Sequence, residues 1–176
     1  MKLSDSRDIR AEPAIVWQAI LDPEVLKACI PGCQSMVGSA SEGFEAVVKQ
    51  KVGPVSATFT GLVHLSDIVA PRAVRISGEG KGGVAGFAKG GANVTLEPIA
   101  EGTRLTYDVE ASVGGKIAQL GSRIIDGFAK KMADEFFTRF QDAVETPDEE
   151  PEAAASEAEN AEAETPKKGW FKRLIS

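Results

Sequence analysis

From Ile117 onward, apolar residues recur at steps of three and four, as Leu120, Ile124, Phe128, Met132, Phe136 and Phe140. At 3.6 residues per turn that spacing keeps one face apolar, so it predicts one long amphipathic helix within Ala111 to Val144. Lys116, Arg123, Lys130, Lys131, Asp134, Arg139 and Asp142 fall on its polar face. So wide an apolar stripe needs a partner surface, and the rest of the chain offers strands.

Weak alternation through Leu3 and Ile9 predicts a first strand over Met1 to Ala11. Pro13 suits the first turn of a helix, and Ile15, Val16, Ala19, Ile20 and Leu21 follow at helical spacing around Trp17. Asp22-Pro23 breaks that helix, and a second runs from Glu24 to Ala28 into Ile30-Pro31-Gly32. Five strands follow, Phe44 to Val52, Val55 to Ile68, Ala73 to Gly80, Phe87 to Pro98 and Thr103 to Val113. Gly53-Pro54, Ala70-Pro71-Arg72, the glycines from Gly82 to Gly86, and Glu101-Gly102 mark the turns between them. The order β-α-α-β-β-β-β-β-α is that of an α+β helix-grip fold, a curved antiparallel sheet wrapped round a long C-terminal helix. Gly114-Gly115 supplies the corner before the helix.

Alternation also says which side chains meet the helix. Val74, Ile76, Val94, Leu96, Leu105 and Tyr107 fill one end of the inward face. At the other end the inward positions are Gly78, Gly80, Ala88, Gly90, Ala92 and Ala111, which leave little to pack. A cavity beneath the helix is expected there, bounded also by Phe59, Val63, Val94 and Val109 from the sheet and by Leu120, Ile124 and Phe128 from the helix. With such a lining its ligand would be a hydrophobic small molecule. The same glycines also suit sheet curvature, with the helix lying closer. Gly121 and Gly127 weaken the start of the helix by roughly 1 kcal/mol each, as a segment that shifts to admit a ligand would tolerate.

Charge divides the chain. Its 176 residues carry a net charge of −6, but Glu145 to Pro166 holds nine acidic residues and no basic ones, and Lys167 to Ser176 holds four basic residues and no acidic ones. The first 144 residues are therefore nearly neutral, which gives no footprint for nucleic acid. Three parts are expected: a ligand-binding domain over 1–144, a solvated acidic linker over 145–166, and a tail over 167–176. In the tail, Trp170, Phe171, Leu174 and Ile175 share a helical face, with Lys168, Lys172 and Arg173 toward the other. That suits the surface of an anionic membrane. No stretch is apolar enough to span a bilayer and the start lacks a signal peptide, so a cytoplasmic protein is expected, held peripherally on the inner face of the cell membrane.

Assembled chemistry is sparse. His64, the sole histidine, falls on the outward phase of its strand, which leaves no Ser-His-Asp arrangement. Asp67, Glu79, Glu97, Asp108 and Glu110 lie outward or at turns, so paired carboxylates are missing from the inner face. Gly78 to Gly83 lacks the Gly-Lys-Ser/Thr ending of a phosphate loop. Cys29 and Cys33 cannot complete a zinc site with one histidine and read as reduced structural thiols. No catalytic residue, metal or covalently bound cofactor is assigned.

The run V-W-Q-A-I-L-D-P-E-V-L-K-A-C-I-P-G-C-Q-S-M from Val16 to Met36 resembles the opening of the G-subunit family of carbon monoxide dehydrogenase proteins. The run G-G-K-I-A-Q-L-G-S-R-I-I-D-G-F-A-K-K-M-A-D-E-F-F from Gly114 to Phe137 resembles that family too. The resemblance covers about residues 1–144. It implies a START-like fold of the SRPBCC superfamily and an accessory role beside an aerobic molybdenum-containing carbon monoxide dehydrogenase. Cys29, Ile30, Pro31 and Gly32 are expected at the wall or gate of the cavity. With the apolar cavity and the tail, the expected function is a non-enzymatic carrier of a quinone or lipid that links the dehydrogenase to the membrane and to electron transfer there. Pure membrane recruitment or assembly with an incidental cavity is the alternative, and a cyclase-like enzyme a third.

Overall fold

The computed structural model describes residues 1–145. Strand β1 (Lys2–Ile9) is followed by helices α1 (Pro13–Ile20) and α2 (Pro23–Cys29). Six strands come next: β2 (Cys33–Ser39), β3 (Gly43–Val52), β4 (Val55–Val69), β5 (Ala73–Lys81), β6 (Phe87–Ile99) and β7 (Gly102–Gly114). Helix α3 (Ser122–Glu145) completes the described fold, and short 3-10 turns stand at Gly83–Ala85 and Ile117–Leu120. The expected linker beyond Glu145 and the tail residues Lys168, Trp170, Phe171, Lys172, Arg173, Leu174 and Ile175 lie outside the described residues.

The seven strands join in one antiparallel sheet in the order β1-β7-β6-β5-β4-β3-β2. Every strand from β1 at one edge to β2 at the other gives at least one side chain to a single chamber beneath α3. A flat sheet of seven strands, spaced about 4.8 Å apart, could not reach one helix from both edges, so the sheet curls round α3. This is the α+β helix-grip arrangement.

Two predicted boundaries move. β2 is a seventh strand that apolar alternation does not announce, because Met36 is its only fully buried residue and Gly38 interrupts it. The long helix begins at Ser122 and is not continuous with Ile117–Leu120. Gly121, at φ +93°, breaks the chain between the 3-10 turn and α3, a backbone state that side chains with a Cβ disfavour.

Local chemistry explains the rest of the frame. Pro13 and Pro23 open α1 and α2, and the Asp22 carboxylate accepts the Glu24 N–H at 2.9 Å, capping α2. The main core lies at one end, where Ile9, Val16, Cys29, Leu105 and Phe140 are almost wholly buried. Phe137 stacks on Tyr107 with ring centres 5.0 Å apart and meets Phe136 edge to face. Buried Thr103 is satisfied, its hydroxyl donating to the Ala11 carbonyl at 2.7 Å.

Candidate functional site

Between α3 and the small-residue end of the sheet lies an apolar cavity with two connected chambers, of about 570 Å³ and about 490 Å³. They share Val63, Ile76, Ala88, Ala92, Val109, Ala111, Ile125, Phe128 and Met132 among their walls. Register explains the void. Gly78 stands opposite Gly90, Gly80 opposite Ala88, and Gly90 opposite Ala111, so at these positions three adjacent strands present at most a methyl group toward the helix, with Val109 and Val113 on either side of Ala111 the larger neighbours. Further along the same strands, Val94 faces Tyr107 and Leu96 faces Leu105; Val94, Leu105 and Tyr107 close the far end of the larger chamber, and Leu96 is packed in the main core.

Most of the sequence-predicted lining is in place. Phe59, Val63, Gly78, Gly80, Ala88, Gly90, Ala92, Val109 and Ala111 bound the smaller chamber with Phe128. Val94 bounds the larger. Two helix residues are corrected. Ile124 is 40 % exposed, and it lies with Leu120 against the Gly53 turn, outside both chambers. A strict step of four advances about 40° beyond a full turn each time, so the stripe drifts along α3, and the face that Met132 and Phe136 present to the cavity is met at its start by Ile125. Met132, Ala133, Phe136 and Phe137 also line the larger chamber, Met132 and Phe136 from the predicted stripe and Phe137 from outside it.

The Cys29 to Cys33 segment splits. Ile30 walls both chambers and Pro31 the larger one, whereas Cys29 turns into the main core and Gly32 is exposed. The segment is fastened to β3. Lys49 donates its N–H to the Gly32 carbonyl at 2.9 Å, and the Gln50 side-chain amide donates to the Pro31 carbonyl. Gly32, at φ +78°, passes so close to β3 that a Cβ would stand 2.1 Å from the Lys49 oxygen. Pro31 and Ile30 thus stand in the cavity wall, tied to β3 through these bonds. Burial pushes the Cys29 thiol up to about 11, and burial also raises that of Cys33, so neither is an activated nucleophile.

Polar groups are nearly absent from the larger chamber, where Tyr107 supplies the only side-chain hydroxyl among the described residues. Burial raises that phenol above its ordinary value, opposed by the positive charge of Arg7. Gln50 is the uncharged polar side chain of the smaller chamber, and its amide is engaged by Pro31. His64 is exposed on the outer face opposite Ser77. Among the described residues no three of His, Cys, Asp and Glu are grouped to hold a metal ion. What the arrangement can do is hold an apolar molecule against hydrocarbon and aromatic walls.

A family model described as the G subunit of carbon monoxide dehydrogenase (CoxG) matches residues 6–145. The chain belongs to the CoxG family. No curated protein matches it. Among solved structures, a conserved protein from Geobacillus kaustophilus is similar, with 29 % identity and a TM-score of 0.77 over 82 % of this chain and 95 % of that one. A START superfamily protein from Mycobacterium smegmatis shares 13 % identity and a TM-score of 0.63, covering 82 % of this chain and 97 % of its own. Protein CV1439 from Chromobacterium violaceum shares 16 % identity and a TM-score of 0.61, covering 82 % and 98 %. The last two speak for the fold alone, which is START-like. No helix among the described residues of this CoxG family member is long and apolar enough to cross a membrane.

Proposed function

We propose that this CoxG family member is a non-enzymatic carrier. It would take a hydrophobic molecule, a quinone or lipid, from the cytoplasmic membrane and present it to an aerobic molybdenum carbon monoxide dehydrogenase. The observation that supports this reading is the chamber of about 570 Å³ whose walls, Tyr107 apart, are hydrocarbon, aromatic ring and thioether. Such a volume falls within the range of small-molecule sites, roughly 300–1,000 Å³.

Energetics suit exchange. Moving roughly 300 Å² of apolar ligand surface from water into the chamber is worth about 7 kcal/mol before immobilisation costs. From a bilayer interior the same transfer is close to neutral, since both environments are apolar. The carrier would hold its ligand against loss to water yet release it to another apolar site. The tail residues Trp170, Phe171, Leu174 and Ile175, with Lys168, Lys172 and Arg173, would keep the body near the membrane.

Mass spectrometry of small molecules extracted from gently purified protein tests the reading. A quinone or lipid in near-stoichiometric amount is expected. Protein that carries none, and cannot be loaded with either, would refute it.

A further inference from the structure

Three connections meet at the end of the domain beyond the smaller chamber: Lys51–Ser56 between β3 and β4, Lys81–Phe87 between β5 and β6, and Gly114–Ile124 between β7 and α3. Each gives one buried side chain, Val52, Ala85 and Ile117, to a small core of their own. Close contacts fix their relative positions. A Cβ on Gly86 would stand 2.0 Å from the Gly114 oxygen, and one on Gly53 would meet Ile124 at 3.5 Å and Leu120 at 3.7 Å.

The outer side of this end is unusual in two ways at once. Val84 is 91 % exposed on its 3-10 turn, accompanied by Phe87 at 44 % and Ile124 at 40 %. Single exposed apolar residues are ordinary, but here three stand on connections that converge at one end of the domain. The same segments hold Lys51, Lys81, Lys116 and Arg123, all exposed, and no Asp or Glu. A nearly neutral body thus carries a tip in which four exposed cations outnumber one nearby acid, Asp126, a turn beyond Arg123, and in which apolar side chains are also exposed, a composition that suits the headgroup layer of an anionic bilayer.

We infer that this end of the domain docks on an anionic lipid surface, with Val84, Phe87 and Ile124 entering the headgroup region and the four cations facing lipid phosphates. The contact is separate from the tail. It deepens the carrier reading and rests on it for its purpose, because Val52, Ile117 and Phe59, beside the tip, are walls of the smaller chamber. Docking sets the cavity's nearest wall against the bilayer.

The test uses the full chain with Val84→Trp, at a site so exposed that the larger side chain meets only solvent, combined with Trp170→Phe to remove the tail's indole. Trp17 is buried in the core and gives a constant background. With vesicles of equal parts phosphatidylglycerol and phosphatidylcholine, the introduced indole should shift to the blue and be quenched by brominated lipid. Lys81→Gln and Lys116→Gln should each weaken vesicle binding about fivefold, and together on the order of 25-fold. An indole that stays water-like while the protein sediments with vesicles would overturn the inference, since the tail alone would then hold the body. Glutamine variants that bind vesicles normally but lose the dehydrogenase would overturn it in favour of an acidic protein partner. Neither readout needs a bound ligand: quenching without any extractable ligand would defeat the carrier reading alone, and ligand without quenching the docking alone.

Discussion

The Arg7 guanidinium on β1 lies 2.6 Å from the Asp134 carboxylate on α3 and 5.2 Å from the centre of the Phe137 ring. It fastens the middle of the helix to the edge strand and meets Tyr107 on the way. Among the described residues nothing comparable holds Ser122 to Phe128, where the helix roofs the cavity and its residues are exposed or half-buried. Helix α3 is therefore clamped over its second half and loosely held over its first. Amide exchange should be slow from Ala133 to Phe140, fast from Ser122 to Phe128, and slowed in the first turns when the cavity is filled. Uniformly slow exchange with and without ligand would show that no such division exists.

The same contact has a pH signature. The Arg7 hydrogen bond holds the Asp134 carboxyl below its ordinary value of 3.8, so its contribution is present above that value and is lost as pH falls through the lower folded value. Asp134→Asn should lower the thermal midpoint slightly at neutral pH. The gap to the parent should close as pH falls below 3.8. Melting curves across that range check it; a gap that widens in acid would contradict the assignment.

Core and cavity should respond differently to truncation. Phe140 is fully buried, and Phe140→Ala should cost about 4 kcal/mol in denaturant unfolding. Phe128 already borders empty space, so Phe128→Ala should cost well under half as much while weakening ligand binding. Equal losses for the two would mean that the space beneath Phe128 is packed in solution.

The helix phase is testable with neighbouring isoleucines. Ile125→Ser introduces a hydroxyl into both chambers and should reduce ligand binding severalfold, whereas Ile124→Ser, on the exposed side, should leave it unchanged. A titration of each variant with a fluorescent apolar probe distinguishes them.

Cys29 is 1 % exposed with its thiol near 11, so roughly one molecule in a thousand carries the thiolate at pH 8. Iodoacetamide should leave it unmodified for hours in folded protein, with Cys33 reacting first. Rapid alkylation of Cys29 would show that α2 opens from the core.

Period-two alternation in Phe59 to Leu65 and Val94 to Val109 is enough to place the sheet face, its register and the void at Gly78, Gly80 and Gly90. Those signals are strong because one buried face forces strict alternation. Ile117 and Leu120 sit at helical spacing with Ile124, but Gly121 adopts a positive φ that only the folded backbone reveals and leaves them outside α3. Within α3 a strict step of four drifts by about 40° each time, so Ile124 falls off the face that Ile125, Met132 and Phe136 share. Phe137 escapes the pattern because α3 packs on two sides, against the sheet and against α2. Strand β2 is illegible in the sequence because it is an edge held by pairing with β3 more than by its own apolar residues.

If the cavity is a ligand site, a side chain grown into it should displace the ligand, and one position allows that without disturbing the sheet. A Cβ on Gly90 would strike the Glu110 oxygen at 2.2 Å and distort the sheet, but a Cβ on Gly80 meets nothing within 4 Å and Gly80 borders the smaller chamber. Gly80→Leu should therefore fold with unchanged or higher stability and take up part of that chamber. The chamber shares its walls with the larger one, so a long quinone or lipid tail that extends through both loses its room. The decisive measurement is quantitative mass spectrometry of ligand extracted from parent and Gly80→Leu proteins prepared side by side. A quinone or lipid is expected near one per chain in the parent and in much smaller amount in the variant. A parent that carries no ligand and accepts none, or a variant that carries as much as the parent, would contradict a ligand site there.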